Sequence, residues 1–250
     1  MRIDIATLFP EMCEAVLGES IIGRARKSEY IEINCHQIRD YSTDKHRRVD
    51  DTPYGGGMGM VMQCEPIYRC WLDVCEQSGA KPHTIYMSPK GTVLDQKKAV
   101  ELSKMENIMI ICGHYEGVDQ RILDKIVDEE ISAGDYVLTG GELPAMVLVD
   151  AVARMCPGVL ADAECYTDES IYSGLLEYPQ YTRPEVWEGE AVPEILLSGH
   201  HKNIADWRHQ QSLELTKQRR PDLYEEYAAA HPEPPPKKKR RKKSPQQTEE

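Results

Sequence analysis

Hydrophobic and polar positions along the chain follow two periods in turn. Residues 2–8 alternate in part and predict a strand. Pro10 then opens a helix carrying Met12, Ala15, Val16 and Leu17, and a second short helix covers about 20–27. Residues 30–38 predict another strand, with Ile31, Ile33 and Cys35 on one face. A long polar stretch ending in Tyr54-Gly55-Gly56-Gly57-Met58-Gly59-Met60 separates it from a helix at about 65–78.

From residue 84 the alternation becomes regular. Thr84-Ile85-Tyr86-Met87 predicts a short strand ending in a turn, Ser88-Pro89-Lys90-Gly91, and 95–104 predicts a helix. Residues 107–112 form a nearly continuous apolar run, the mark of a strand buried on both faces. That run ends at Gly113-His114-Tyr115-Glu116-Gly117, and a helix follows over 119–127. Residues 129–132 predict a short strand ending at Gly134-Asp135, and Thr139-Gly140-Gly141-Glu142 opens an apolar helix over 143–155. Strand, loop and helix in repeated order predict the α/β class with a parallel sheet.

After Gly158 the character changes. Residues 1–160 are read as the α/β domain and 161–185, which are polar and lack helical period, as a linker or mobile lid. Residues 186–230 are read as a small helical C-terminal domain, with Ile204, Trp207, Leu213 and Leu215 as apolar points in a helical stretch over 201–230. Residues 231–250 are a low-complexity, disordered basic tail. Its run from Lys237 to Lys243 suits RNA or a nuclear-type signal, but a solvated basic tail is the plainer reading.

Composition narrows the function classes. No apolar run reaches the ~18–20 residues that cross a bilayer, and the first residues lack the pattern of a signal peptide, so a soluble, cytoplasmic protein is expected. Eight cysteines show no C-x-x-C pair, which favours reduced thiols packed as small hydrophobes over zinc ligands. The formal charge is −12, which at first favours a small-molecule enzyme over a nucleic-acid binder. The basic clusters Arg24/Arg26/Lys27, Lys45/His46/Arg47/Arg48 and Lys217/Arg219/Arg220 weaken that objection, because distribution matters more than total.

Three strand ends, at 86–91, 112–117 and 132–141, are rich in glycine or turn residues. Ligands of parallel α/β folds bind beyond the carboxyl ends of the strands, so these loops can converge on one ligand. No G-x-G-x-x-G follows the first strand and no phosphate-binding P-loop is present. The residues therefore point to a backbone-lined pocket for a nucleoside-like cofactor that does not enter as it would in a Rossmann fold.

The strings Tyr54-Gly55-Gly56-Gly57-Met58-Gly59-Met60-Val61-Met62, Cys112-Gly113-His114-Tyr115-Glu116-Gly117-Val118-Asp119-Gln120-Arg121, residues 131–150, 174–184 and 192–199 resemble the bacterial tRNA (guanine-N1)-methyltransferases. The resemblance is collinear from residue 1 to about 225. It implies a fold of the SPOUT methyltransferase type, an α/β parallel sheet with a deep trefoil knot, plus a small helical tRNA-binding domain. It also implies S-adenosylmethionine as cofactor, Mg²⁺ as an activator, tRNA as partner, no membrane, and a homodimer with active sites at the subunit interface. The implied reaction is methylation of N1 of the guanosine at position 37, beside the anticodon.

Carried over position by position, the resemblance places Tyr86, Met87, Ser88, Pro89, Gly113, Tyr115, Glu116, Gly117, Ala133, Gly134, Tyr136, Val137, Leu138, Gly140, Gly141 and Pro144 at the cofactor. It places Asp50, Gly59, Tyr115 and Arg154 near the target guanine. N1 of guanine carries a proton at neutral pH, so the chemistry needs a general base and a cation for the charge gathering on O6. Arg154 suits the cation, being always charged and planar.

The family's base is an aspartate in an Asp-Ser-Phe string, supplied by the partner subunit. Here that string reads Glu169-Ser170-Ile171, preceded by Asp168. A nearby serine position is Cys165, and the familiar Pro-His-Tyr reads Pro179-Gln180-Tyr181. Glu169 is the expected base, with Asp168 as the alternative. His114 is read as loop structure rather than base, and His200 and His201 as contacts to RNA backbone or solvent. Glu116 is the carboxylate placed to meet a hydrated ion near the methionine end of the cofactor; no carboxylate cluster marks a dedicated metal site. Two rival functions stand beside this one: a related enzyme acting on another RNA group such as a ribose 2′-hydroxyl, and an RNA-binding protein that has lost catalysis.

Overall fold

The structure is a computed structural model that describes residues 1–161 and 170–232. The chain forms two compact units, Met1–Tyr166 and Thr167–Glu250.

Five parallel strands build the first unit: β1 (Arg2–Thr7), β2 (Glu32–Gln37), β5 (His83–Val93), β6 (Asn107–Cys112) and β7 (Glu129–Ser132), ordered β2-β1-β6-β5-β7. The continuous apolar run at 107–112 is explained by this order, because β6 is the central strand. Ile108, Ile110 and Cys112 join Ile3, Ile5 and Ile85 in one core, packed by α1 (Pro10–Leu17), α2 (Ser20–Lys27), α4 (Gln96–Leu102) and α6 (Glu142–Ala153). Met109 and Ile111 point the other way, into a second core closed by α3 (Cys64–Ser78) and α5 (Gln120–Ile126). Period-two alternation with both faces covered is what a parallel sheet demands. The seven described cysteines are free thiols, and burial pushes Cys112 well above its ordinary value, so it stays a protonated, inert filler.

Two predicted boundaries change. The strand expected to end in a turn at 88–91 instead continues to Val93. Met87 and Thr92 both pair with Ile131, so 88–91 bulge out before the chain rejoins the edge strand β7. Pro89, which has no N–H to give a ladder, falls inside that bulge. The polar stretch before α3 holds a short antiparallel pair, β3 (Asp50–Asp51) and β4 (Val61–Met62).

In the second unit, residues 170–185, read from sequence as part of a linker, are tied to helix: Leu176 N–H donates to Thr216 Oγ1 at 2.8 Å, and Thr216 Oγ1 donates to the Ser212 carbonyl at 2.6 Å. A hairpin, β8 (Val186–Trp187) and β9 (Glu190–Ala191), precedes α7 (Glu194–Leu197), α8 (His201–Arg219) and α9 (Pro221–Ala230). The stretch expected to be helical over 201–230 breaks at Arg220, because Pro221 cannot donate to the helix before it. Residues 233–250 of the basic tail lie outside the described residues.

One polar group is sealed into the sheet. Asp4 on β1 is fully buried, accepts from Arg2 through Nε at 2.8 Å and Nη2 at 3.0 Å, and lies 2.8 Å from His36 Nε2. Burial pushes its carboxyl up, but the hydrogen bonds from His36 and Arg2 outweigh it and hold it below the usual carboxylate range. A depressed carboxyl stabilises the fold above the unfolded value and ceases to do so as pH falls through the folded one. Asp4→Asn is expected to cost about 3 kcal/mol at pH 7. Urea unfolding should find the gap between the two proteins narrowing as pH is lowered below about 4, where wild type loses this contribution and the variant has none to lose.

Candidate functional site

At the carboxyl ends of β5, β6 and β7 the three loops converge on one cleft of about 330 Å³. Of the sixteen positions expected at a cofactor, fifteen line it: Tyr86, Met87, Ser88 and Pro89 from the β5 bulge, Gly113, Tyr115, Glu116 and Gly117 after β6, and Ala133, Tyr136, Val137, Leu138, Gly140, Gly141 and Pro144 from the chain entering α6. Gly134 is the exception and sits behind Tyr136. Lys90, His114, Ser132 and Thr139, which lie in the three expected loops without being singled out, also line the cleft, as do Val118, Gln120, Leu123 and Ile131, which were not expected there. Each flanks an expected position within the same three segments or on α5 beneath them.

The walls are fastened by backbone. Gly141 N–H donates to the Gly113 carbonyl at 2.8 Å, His114 pairs with Gly140, and Leu94 N–H donates to the Ser132 carbonyl at 2.8 Å. A Cβ on Gly141 would stand 2.7 Å from Cys112 Cα and 2.9 Å from Gly113 N, so only glycine permits this approach. Tyr115 sits in the left-handed region at φ 59°, a conformation costly to a non-glycine residue that turns its ring to the cleft mouth. Arg39 Nη2 donates to the Tyr115 hydroxyl at 3.4 Å.

The lining suits a ligand part apolar and part polar. Tyr86 is buried, and that burial raises its hydroxyl, which stays a neutral hydrogen-bonding group. Tyr136, Val137 and Leu138 are exposed, Val137 to 82%, and so offer apolar surface that an aromatic ring would cover. The charged groups at the cleft are Lys90 and Glu116, with the imidazole of His114, whose buried Nδ1 has no hydrogen-bond partner among the described residues. No group of three or more His, Cys, Asp or Glu among the described residues is arranged to hold a metal ion. No helix among them is long and apolar enough to cross a membrane.

The positions expected near the target base divide. Asp50 pairs with Met62, the Met60 carbonyl two residues earlier accepts from Glu116 N–H at 3.0 Å, and Gly59 lies against the Glu116 side chain. Asp50, Gly59 and Tyr115 therefore gather along one rim. Arg154 does not join them. It caps the far end of α6 and is half-buried, ten residues beyond Pro144, or about 15 Å along a helix. Glu169 and Asp168 lie outside the described residues, as does Cys165.

Residues 1–226 match the family model described as "tRNA (Guanine-1)-methyltransferase TrmD". The chain is 59% identical over 224 residues to a tRNA (guanine-N(1)-)-methyltransferase of Ruminiclostridium cellulolyticum, covering 90% of this chain and 96% of that one. It is 54% identical over 231 residues to the protein of that name from Lachnospira eligens, covering 92% and 98%. Among solved structures, the tRNA (m1G37) methyltransferase from Aquifex aeolicus is similar with a TM-score of 0.74 at 41% identity, over 93% of this chain and 99% of that one.

Gly141→Ala tests the fastening. It is expected to separate the start of α6 from the end of β6, to lower stability by roughly 1–3 kcal/mol in thermal unfolding, and to weaken S-adenosylmethionine binding by about tenfold or more in calorimetry. Unchanged affinity would mean that the cleft does not depend on this contact.

Proposed function

The chain belongs to the tRNA (guanine-N1)-methyltransferase family, an enzyme family that methylates N1 of a tRNA guanine, and we propose that its strand-end cleft holds S-adenosylmethionine beside the guanosine at position 37. The observation that carries this is the convergence of three separate loops on one cleft at the positions the resemblance named. The fit is chemical as well as positional. Backbone groups at 113–117 and 133–141 face a nucleoside-sized space, and Tyr136, Val137 and Leu138 offer the apolar cover an adenine needs. When bound there, S-adenosylmethionine supplies a methyl group activated by its sulfonium. The deep trefoil knot is part of the same proposal, carried by the family resemblance over these loops.

The residues of the chain must make N1 nucleophilic. Glu169 takes the N1 proton, and Arg154 holds the charge that gathers on O6. Asp50, Gly59 and Tyr115 form the rim that receives the base. Glu116, the carboxylate lining the cleft, would face Mg²⁺ only through its hydration shell, where the ion would supply positive charge as an activator.

The position of Arg154 supports a homodimer with shared sites. A rigid helix holds it about 15 Å from the cleft its own chain lines, so it serves the cleft of a second copy. An apolar stripe supports the same reading: Phe9, Met12 and Val16 beside α1, and Leu143 and Val147 on α6, are exposed at helical spacing on two helices that pack together.

Three outcomes are expected. Labelled methyl should pass to a tRNA transcript carrying guanosine at position 37; RNA binding without turnover would instead favour a protein that has lost catalysis. Glu169→Gln should abolish transfer while Asp168→Asn retains it, and the reverse pattern would move the base to Asp168. Arg154→Ala, inactive alone, and Gly141→Ala, reduced to about a tenth at S-adenosylmethionine concentrations below its weakened affinity, should together regain about a quarter of wild-type activity when co-expressed, because half the dimers are mixed and each holds one whole site of two. If Arg154 served its own cleft, the mixture would not exceed the activity of Gly141→Ala alone.

A further inference from the structure

Between β3 and β4 runs a hairpin whose tip, residues 54–58, stands exposed. Its root is fixed: Asp50 and Asp51 pair with Met62 and Val61, Met62 N–H donates to the Gly117 carbonyl at 2.9 Å, and Asp119 N–H donates to the Met62 carbonyl at 3.0 Å. Its tip is not. Gly55, Gly56, Gly57 and Gly59 all hold positive φ, and nothing lies within 4 Å of the places where Gly55 and Gly56 would carry a Cβ. Tyr54 and Met58, at 98% and 92% exposure, are the two most exposed of the large apolar side chains described.

A chain that leaves an aromatic ring and a thioether in water forgoes the stabilisation that burying them would give. Here they stand at the end of an arm rooted on the wall of the cofactor cleft. N1 lies on the pairing edge of guanine, so the base must leave its stack to be methylated, at a cost of a few kcal/mol. Proteins that open a stack insert apolar side chains into the gap, and an aromatic ring stacks on any base. Electrostatics favour an RNA occupant over an apolar one: Arg39, Lys45, Arg47 and Arg48 outnumber Asp40 and Asp44 in the twelve residues before the hairpin root, and the pairs Arg47–Asp40 and Arg48–Asp44 are exposed enough to yield to phosphate. The glycines allow the tip to turn without strain and bring its apolar pair to the emptied space.

We propose that Tyr54 and Met58 form a wedge that enters the anticodon loop as the target guanosine leaves its stack and fills the gap against the neighbouring base. The proposal rests on the reading of the cleft given above. The two residues act on substrate positioning, and neither touches the methyl group.

The test uses the full chain, wild type and as Tyr54→Ala, Met58→Ala and the double variant. Each is assayed on a tRNA transcript with guanosine at position 37 and on a second transcript made abasic at the adjacent 3′ nucleotide, where the stack is already broken. S-adenosylmethionine affinity should be unchanged in calorimetry, which reports an intact cleft. On the ordinary transcript the double variant should lose at least about tenfold in kcat/KM, the scale of one base–aromatic stack. On the abasic transcript it should come within about threefold of wild type. Equal loss on both transcripts, no loss on either, or conversion to monomers in sedimentation would overturn the wedge; the last would show that the pair faces a second copy. Failure of wild type to methylate the ordinary transcript would instead overturn the reading of the cleft beneath it.

Discussion

The contact on which the site depends is the docking of the first turn of α6 against the ends of β1 and β6. Gly140 and Gly141 lie against His114 and the backbone of Cys112 and Gly113. The next residue, Glu142, is buried and accepts from Thr7 Oγ1 at the end of β1 at 2.8 Å, and that same oxygen accepts from Phe9 N–H at 2.9 Å. A carboxylate in the first turn of a helix is favoured by the unpaired N–H groups there. The helix is thus held at its beginning, and three consequences follow from its straightness. Residues 133–139 must arch over the strand ends and make the third wall of the cleft. Leu148, Val149 and Val152 are driven into the core. Arg154 is carried toward the far end of the helix from the cleft, the placement on which the proposed sharing of sites between two copies rests.

Net charge misleads for this protein because of how its cations are held. Arg26 pairs with Glu14, Arg48 with Asp44, Arg121 with Asp119 and Arg220 with Asp222, each pair carrying at least one exposed member. Arg121 and Asp119 illustrate the balance: the carboxylate is held far below its ordinary range by its arginine, yet both side chains lie at the surface beside α5. An exposed ion pair contributes little to folding, and water already screens it. Its arginine is therefore available to phosphate at small cost, and an acidic total is compatible with a polyanionic partner.

Most of the first unit was legible because its signals are local and redundant. The 107–112 run marks a strand buried on both faces, which the sheet order places at its centre, and glycine or turn residues at three strand ends point to the cleft. Three things were not legible. The 88–91 bulge reads as a turn because Ser-Pro-Lys-Gly has turn chemistry, and only pairing with Ile131 and Ser132 shows the chain resuming its strand. The pair β3–β4 is two residues long on each side, too short to carry a period. The distance from Arg154 to the cleft is a property of helix length and direction, which residue identity does not encode. The exchange of aspartate for glutamate at 169, by contrast, is visible only in sequence, since that segment lies outside the described residues.

The distribution of contacts separates what holds the cofactor from what meets the RNA. The cleft walls are joined by main-chain hydrogen bonds between loops, an arrangement that side-chain substitution disturbs little and that keeps its geometry through a catalytic cycle. The groups facing outward, namely Tyr54, Met58, Val137 and the stripe on α1 and α6, make few contacts within the chain. Folding stability cannot favour such residues at such exposure, since each would gain by turning inward or being polar. Exposure of this kind is what the proposed contacts outside the chain would cover. Two kinds of partner satisfy the geometry: a second copy across the helical stripe, and an unstacked nucleic-acid loop at the hairpin. The rim where Asp50, Gly59 and Tyr115 gather joins the root of the hairpin to the cleft through Met60 and Glu116, so a base held at the proposed wedge would stand next to the cofactor cleft.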